Sequence, residues 1–326
     1  MRMNYQLALF DDFHLHGASA PEWKQRYLQM TRGEMRSSLT EATAGSLHVF
    51  RKWMSERVVQ QGCLPAGKIC FGVLHGDVAG TPRIQGREIR ADSLFVLRGD
   101  DEFSLQRPKD MELLAVTFDS DEFLRLLDER PLSTAARALL SRSLLRAPLR
   151  PLQRLRRELL GTFQQAARRG IAAPAAPATA SGHPVASQIV AQTIFDVLEG
   201  ATGSPQTVGS ASASALVARC HHIVASCADE PPSIEALCQR LKTSRRTLQN
   251  SFRQVAETTP VHYLRSVRLD AVRRQLLSTR SSKVSVAQAA MSRGFTHLSH
   301  FAEQYKELFG ELPSETLRLV GKDVGR

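Results

Sequence analysis

The chain has 326 residues, 42% of them apolar, and a formal net charge of +11 at pH 7. That length accommodates two domains with cores of their own, and no apolar run reaches the 18 residues of a membrane-spanning helix. Five cysteines (Cys63, Cys70, Cys220, Cys227, Cys238) make an odd number without a Cys-x-x-Cys pair, and the N-terminus lacks an apolar signal region; unpaired thiols in a reducing cytoplasm are expected.

Residues 1–45 mix Phe10, Phe13, Trp23 and Tyr27 with acids, and Pro21 followed by Glu22–Met30 predicts a short helix or an arm. From 46 to 118 short apolar runs alternate with Gly, Pro and Asp turns. Examples are Leu47–Phe50, Ile69–Leu74, Ser93–Leu97, Phe103–Leu105 and Met111–Phe118, a pattern that predicts a small antiparallel sandwich or barrel. Phe71, Phe95, Phe103 and Phe118 would line or fill it. His14-x-His16 and the isolated His75 form no metal box, so neither a metal nor a cofactor is expected.

Asp119–Glu122 supplies an N-cap and acidic first turn for a helix over about 121–129, and 133–146 reads as a second helix. Leu152, Leu155, Leu159, Phe163 and Ala166 repeat at three and four among arginines, predicting a helix over 151–169. Its seam suits either its own sheet or a partner subunit. Residues 170–182 read as a low-complexity loop, 185–198 as an apolar helix and 200–212, uncharged and Gly/Ser/Thr-rich, as a linker. The expected division is therefore an N-terminal unit over 1–199 and a C-terminal unit over 213–326.

Charge follows that division. Residues 1–130 hold 17 basic against 19 acidic side chains, 131–170 hold 9 against 1, and 213–326 hold 17 against 10. A basic C-terminal unit suits a polyanion such as DNA, although solvated helix faces would give the same count. Cys220, His221, His222 and Cys227 fit no standard zinc spacing, and a helix burying its cysteines accounts for them.

Within the C-terminal unit one arrangement occurs twice. Ile234, Leu237, Cys238 and Leu241 form a short amphipathic helix capped by Ser233; a turn follows, and Ser244 caps a helix with Leu248, Phe252 and Val255 on its apolar face. Val286, Ala289 and Ala290, a Gly294 turn, and then Phe301, Tyr305 and Phe309 repeat the scheme, ending at Gly310 and Pro313. Leu248 and Phe252 correspond to Phe301 and Tyr305 at a constant offset of 53 positions. Two helix-turn-helix units are thus expected, joined by a helix over about 260–277. Its ~18 residues span roughly 27 Å, a length suited to placing two helices about one DNA turn apart.

This tandem, with Pro260-x-x-Tyr263, Arg268, Ala271, Leu276-Leu277, Ala289-Ala290, Gly294-Phe295, Phe301, Tyr305-Lys306, Phe309-Gly310 and Pro313, resembles the AraC/XylS family of bacterial transcription regulators over about 213–320. Residues 297–305 are similar to the branch containing the ethanolamine-utilisation regulator. The resemblance implies an α+β chain: a cupin-like β-barrel or sandwich with helices for dimerisation and effector binding, then an all-α DNA-binding domain. It implies a DNA-binding, non-enzymatic regulator acting as a cytoplasmic homodimer on double-stranded promoter DNA, with RNA polymerase and a small-molecule effector as further partners and no membrane contact. An alternative is a sensor or a cupin-type metalloenzyme domain fused to a DNA-binding module.

The second helix of each unit would enter a major groove. In the first, base-reading positions fall on Arg246, Gln249 and Asn250, with Arg245 beside them and Ser244, Thr247 and Arg253 placed for phosphates. In the second, the matching positions are Leu298, Ser299, Ala302 and Glu303, with Thr296, His297 and His300 near phosphates. That face is poor in donors: Leu298 suits a thymine methyl and Glu303 a cytosine amine. The first unit is therefore expected to dominate specificity. Where family members often carry glycine, at the end of the first recognition helix, this chain has Ala256-Glu257.

Overall fold

The computed structural model describes residues 4–171, 183–203, 208–227, 232–278 and 284–322. Residues 172–182, expected as a loop, lie outside the described residues.

The N-terminal half contains β1 (Asn4–Phe10), α1 (Phe13–Ala18), β2 (Arg26–Gln29), β3 (Ser37–Ala44), β4 (Leu47–Met54), β5 (Val58–Cys63), β6 (Lys68–His75), β7 (Arg83–Ile84), β8 (Arg87–Glu88), β9 (Ser93–Arg98), β10 (Glu102–Arg107) and β11 (Met111–Asp119). After these come α2 (Ser120–Glu129), α3 (Thr134–Leu139), β12 (Leu144–Arg146), α4 (Leu149–Ile171), α5 (His183–Glu199) and β13 (Thr202–Gly203). An eight-stranded sheet runs β1-β3-β4-β11-β6-β9-β12-β13, and a five-stranded sheet runs β2-β5-β10-β7-β8.

Strand β11 explains the architecture. Its successive side chains point to opposite faces, and both faces are buried. Met111, Leu113 and Ala115 join Phe50, Phe95, Phe103 and Leu105 in the core between the sheets. Leu114, Val116 and Phe118 join Phe71, Phe123, Leu155 and Phe195 in a second core under α2, α4 and α5. A strand buried on both sides carries consecutive apolar residues, here Leu113–Val116, between Glu112 and Thr117. Of the four phenylalanines expected to line or fill a barrel, Phe95 and Phe103 fill the interior, while Phe71 and Phe118 face the helices. The Phe95 ring crosses Gly72, where an added Cβ would come within 1.8 Å of it.

Four stretches differ from the expectation. Residues 22–30 are not a helix: Pro21–Trp23 make one 3-10 turn and Arg26–Gln29 pair with β5. The helix expected over 133–146 stops at Leu139, and Leu144–Arg146 add a strand to β9, sending Leu145 to the helix-covered core and Leu144 to the inner one. The opening 45 residues carry β1 and β3 as well, paired along their length. Within 200–212, Thr202–Gly203 pair with β12, and the next helix already begins at Val208.

The C-terminal half is helical: α6 (Val208–Ser226), α7 (Ile234–Leu241), α8 (Arg245–Ala256), α9 (Pro260–Ser278), α10 (Val286–Met291), α11 (Leu298–Phe309) and α12 (Pro313–Lys322). Helices α6–α8 with the first half of α9 share one apolar core, and the second half of α9 with α10–α12 another. Among the described residues no helix is long and apolar enough to cross a membrane.

Candidate nucleic-acid interface

Each helix-turn-helix is set by local chemistry. Ser233 accepts from the Ala236 amide and Ser244 from the Thr247 amide, capping α7 and α8. Lys242 turns the chain between them in the left-handed region. In the second unit Ser285 and Gln288 form a reciprocal capping box, and Gly310 ends α11 at φ +79°. Leu248, Phe252 and Val255 of α8 and Phe301, Tyr305 and Phe309 of α11 point inward. Tyr305 also bonds Thr316 through its hydroxyl (2.8 Å).

The opposite faces carry the residues singled out for DNA. On α8, Arg245, Arg246, Thr247, Asn250 and Arg253 are exposed, with Ser244 exposed at the cap and Gln249 half-buried. Arg245 lies 3.6 Å from Glu235, an exposed pair of little energetic weight. The Ser244 hydroxyl accepts from the Thr247 amide as the cap and lies 2.8 Å from Thr247 Oγ1.

At the second unit Thr296, His297, Ser299, His300 and Glu303 are exposed. His300 is engaged with Gln304, whose Nε2 lies 2.8 Å from its Nδ1. Leu298 is half-buried against the second core together with Ala302, so it packs and does not stand free in the groove face. The face of α8 thus offers three arginines, an asparagine and a glutamine. That of α11 offers a serine, two imidazoles and a carboxylate.

Residues 237–319 match the family described as a helix-turn-helix domain. The XylDLEGF operon transcriptional activator of Pseudomonas putida is 41% identical over 92 residues, 28% of this chain and 29% of its own. The probable thc operon regulatory protein of Rhodococcus erythropolis is 34% identical over 93 residues, 28% of each. A solved structure described as a probable AraC family transcriptional regulator from Rhodopseudomonas palustris shares 32% identity, covers 32% of this chain and 97% of that one, and has a TM-score of 0.31. This part of the chain is an AraC/XylS-type helix-turn-helix domain. The match spans 29% and 28% of the length of these two curated relatives.

Around this AraC-type domain the structure adds residues that no motif marked. Glu257, where glycine is frequent in the family, does sit in the left-handed region at φ +45°. That conformation costs a non-glycine residue about 1–2 kcal/mol. Arg57 of β5's leading turn answers it: Nη2 donates to Ala256 O (2.6 Å), Nη1 donates to Glu257 O (3.2 Å), and the Glu257 carboxylate lies 3.0 Å away. A charged hydrogen bond to the last carbonyls of a helix is worth about 1.5–3 kcal/mol, enough to offset the strain.

Arg273 on α9 is equally invisible to spacing arguments. It is 9% exposed, donates through Nε to Asp12 Oδ2 (2.8 Å) and through Nη1 to Glu311 (2.5 Å), and lies 4.8 Å over the Phe309 ring. Burial works against its charge, but the Asp12 and Glu311 carboxylates outweigh that and hold its pKa above the ordinary arginine value. For Asp12, burial is outweighed by Arg273 and His14, and its pKa lies below the usual carboxylate value.

The histidines and cysteines singled out earlier have structural places. His14 Nε2 lies 3.4 Å from Asp270, and His16 Nδ1 lies 2.7 Å from Ser37 Oγ. Cys220 is buried in α6, and Cys227 lies 3.2 Å from Arg240 Nη1. His221 stacks on Tyr263 (4.4 Å), and its Nδ1 lies 2.7 Å from Gln61 Nε2 of β5. Burial pushes its pKa down to about 4, so the ring is neutral at pH 7.

Proposed function

We propose that this protein is a sequence-specific DNA-binding regulator of transcription in which α8 and α11 enter adjacent major grooves and α8 does most of the base reading. Residues 213–326 form the DNA-binding unit in this reading and 1–199 the regulatory unit. The observation that carries it is the set of exposed Arg245, Arg246, Asn250 and Arg253 with half-buried Gln249 on a capped, well-packed helix of a tandem helix-turn-helix. Arginine pairs with guanine O6 and N7, and asparagine or glutamine with adenine N6 and N7, in geometries only the major groove offers. Selection of bound duplexes from a random pool tests it: recovery of a common motif supports the reading, and an unenriched pool refutes it.

The regulator acts on promoter DNA as a homodimer, with RNA polymerase as its contact in transcription. The apolar seams of α4 and α5 are consumed within the chain, where Leu152, Leu155, Leu159, Phe163, Ile194 and Phe195 are buried. Light scattering at micromolar concentration decides the dimer, and a monomer refutes it.

A second activity of the N-terminal unit is supported by one cavity between the sheets, lined by Trp23, Phe50, Lys52, Gln60, Phe95 and Phe103 among others. Lys52 is 4% exposed, bonds the neutral Gln25 Oε1 (3.0 Å) and lies over the rings of Phe50 (5.1 Å) and Trp23 (5.7 Å). Burial pushes its pKa down to about 8, which leaves it charged at pH 7. Gln60 Oε1, also buried, lacks a partner. The cavity is about 20 Å³, room for about one water, so a small apolar acid drawn to this buried cation among aromatic rings has to part the side chains around Lys52 to enter. A thermal-shift panel of aromatic and branched aliphatic carboxylates, repeated on Lys52→Met, checks this; no shift with any acid refutes it.

A further inference from the structure

The two helix-turn-helix units have separate cores, one around Leu248, Phe252 and Tyr263 and the other around Val272, Phe301 and Tyr305. Helix α9 links them, contributing its first half to one core and its second half to the other. The angle and separation of α8 and α11 therefore depend on that rod and on whatever else bridges the units.

The N-terminal domain reaches both units and the rod between them, with His14 and Arg26 at Asp270, Arg32 at Glu307 and Gln61 at His221, and three further contacts hold helix-end carbonyls or the buried charge of Arg273. Arg57 holds the last carbonyls of α8, with Leu28, Met30 and Val59 packed into the first core beside it. Asp12 holds Arg273 in the second half of α9, its other oxygen capping α1 through the His14 amide (2.6 Å). Gln29 Nε2 donates to Leu308 O (2.5 Å) in the last turn of α11, and Glu34 backs onto Gly310. Two of these holds lie at the C-terminal ends of the recognition helices and the third on the rod between them. Arg246, Asn250, Ser299 and Glu303, on the groove-facing sides, stay exposed. The contacts leave these four side chains uncovered.

We propose that the N-terminal domain is a positioning clamp: Asp12, Gln29 and Arg57 fix the separation and angle at which α8 and α11 meet a duplex, and so set the spacing between the two groove contacts. This rests on the DNA-binding reading above for its function, and on the bridging contacts alone for its geometry.

The experiment uses the full chain and the double variant Asp12→Asn, Arg57→Met. Asparagine keeps the cap on α1 while removing the charge that holds Arg273, and methionine keeps the apolar stem of Arg57. Residual dipolar couplings give the relative orientation of the two units without DNA. Affinity is then measured by anisotropy on the duplex that the natural protein selects from a random pool, and on duplexes with one or two base pairs added or removed between the two contacts. The natural protein is expected to show one unit orientation and at least a tenfold loss at two base pairs of altered spacing. The double variant is expected to show averaged couplings and less than a threefold change across the spacings. A loss by the same factor at every spacing, which leaves the natural protein's tenfold spacing preference in place, would mean the contacts serve folding alone and overturns the proposal, as do unchanged couplings. If the pool yields no motif, the DNA-binding reading falls while the couplings still decide the clamp. Should the double variant not fold, Arg57→Met alone is measured in the same way.

Discussion

A side chain on Gly310 has no room beside Glu34: its Cβ would come within 2.6 Å of Glu34 Cγ and 3.0 Å of the Glu34 backbone nitrogen. The same residue is left-handed, at φ +79°. Glycine is thus demanded twice, once by the end of α11 and once by the approach of the N-terminal domain. Gly310→Ala is expected to cost at least about 1–2 kcal/mol from the backbone alone. Urea unfolding checks it, and a change under about 0.5 kcal/mol, the range of a neutral surface substitution, would contradict it.

The unequal chemistry of the two recognition faces gives a second expectation. Arg246→Ala and Asn250→Ala should each cost about 1–3 kcal/mol at particular base pairs. Ser299→Ala and Glu303→Ala should cost less and show no base preference. Quantitative footprinting on single-base operator variants checks this ordering, which larger sequence-specific losses from the α11 changes would reverse.

Ser244 separates capping from DNA contact. Its hydroxyl caps α8, so Ser244→Ala should destabilise the protein by about 1 kcal/mol before any DNA is added. Ser244→Asp retains a good cap but places a negative charge near the duplex. It should keep the melting temperature and weaken DNA binding most at low salt, where phosphate repulsion is least screened. Calorimetry and salt-dependent titrations read the two effects independently.

His221 makes the packing of the first unit sensitive to acid. Its folded pKa of about 4 lies below the ordinary histidine value of 6.5 because burial disfavours the charged ring. The neutral form is the one that fits, so the stability it contributes is complete above about pH 6.5 and lost as pH falls toward 4. The depressed pKa of Asp12 adds a loss only below the usual carboxylate value of 3.8. Thermal unfolding between pH 7.5 and 4.5 should show a smaller decline for His221→Gln than for the natural protein. Parallel declines would remove His221 from the account.

The sequence by itself determined the tandem helix-turn-helix. Leu248 and Phe252, Phe301 and Tyr305, the serine caps and Gly310 act within one helix and its turn, and a period of 3.6 residues with local capping is written in neighbouring positions. The same holds for α2, α4 and α5, and for β11, where the consecutive apolar residues Leu113–Val116 mark a strand with both faces covered. Tertiary structure alone decided what depended on distant partners. Leu144–Arg146 are a strand because β9 lies beside them, and Arg26–Gln29 because β5 does. The seam of α4 faces its own sheet because that sheet's outer face was apolar and uncovered without it. Arg57 reaches Ala256 across 199 positions and Arg273 reaches Asp12 across 261. No local pattern encodes such pairs, since a charged residue in a loop reads as solvated until the fold buries it beside its counterpart.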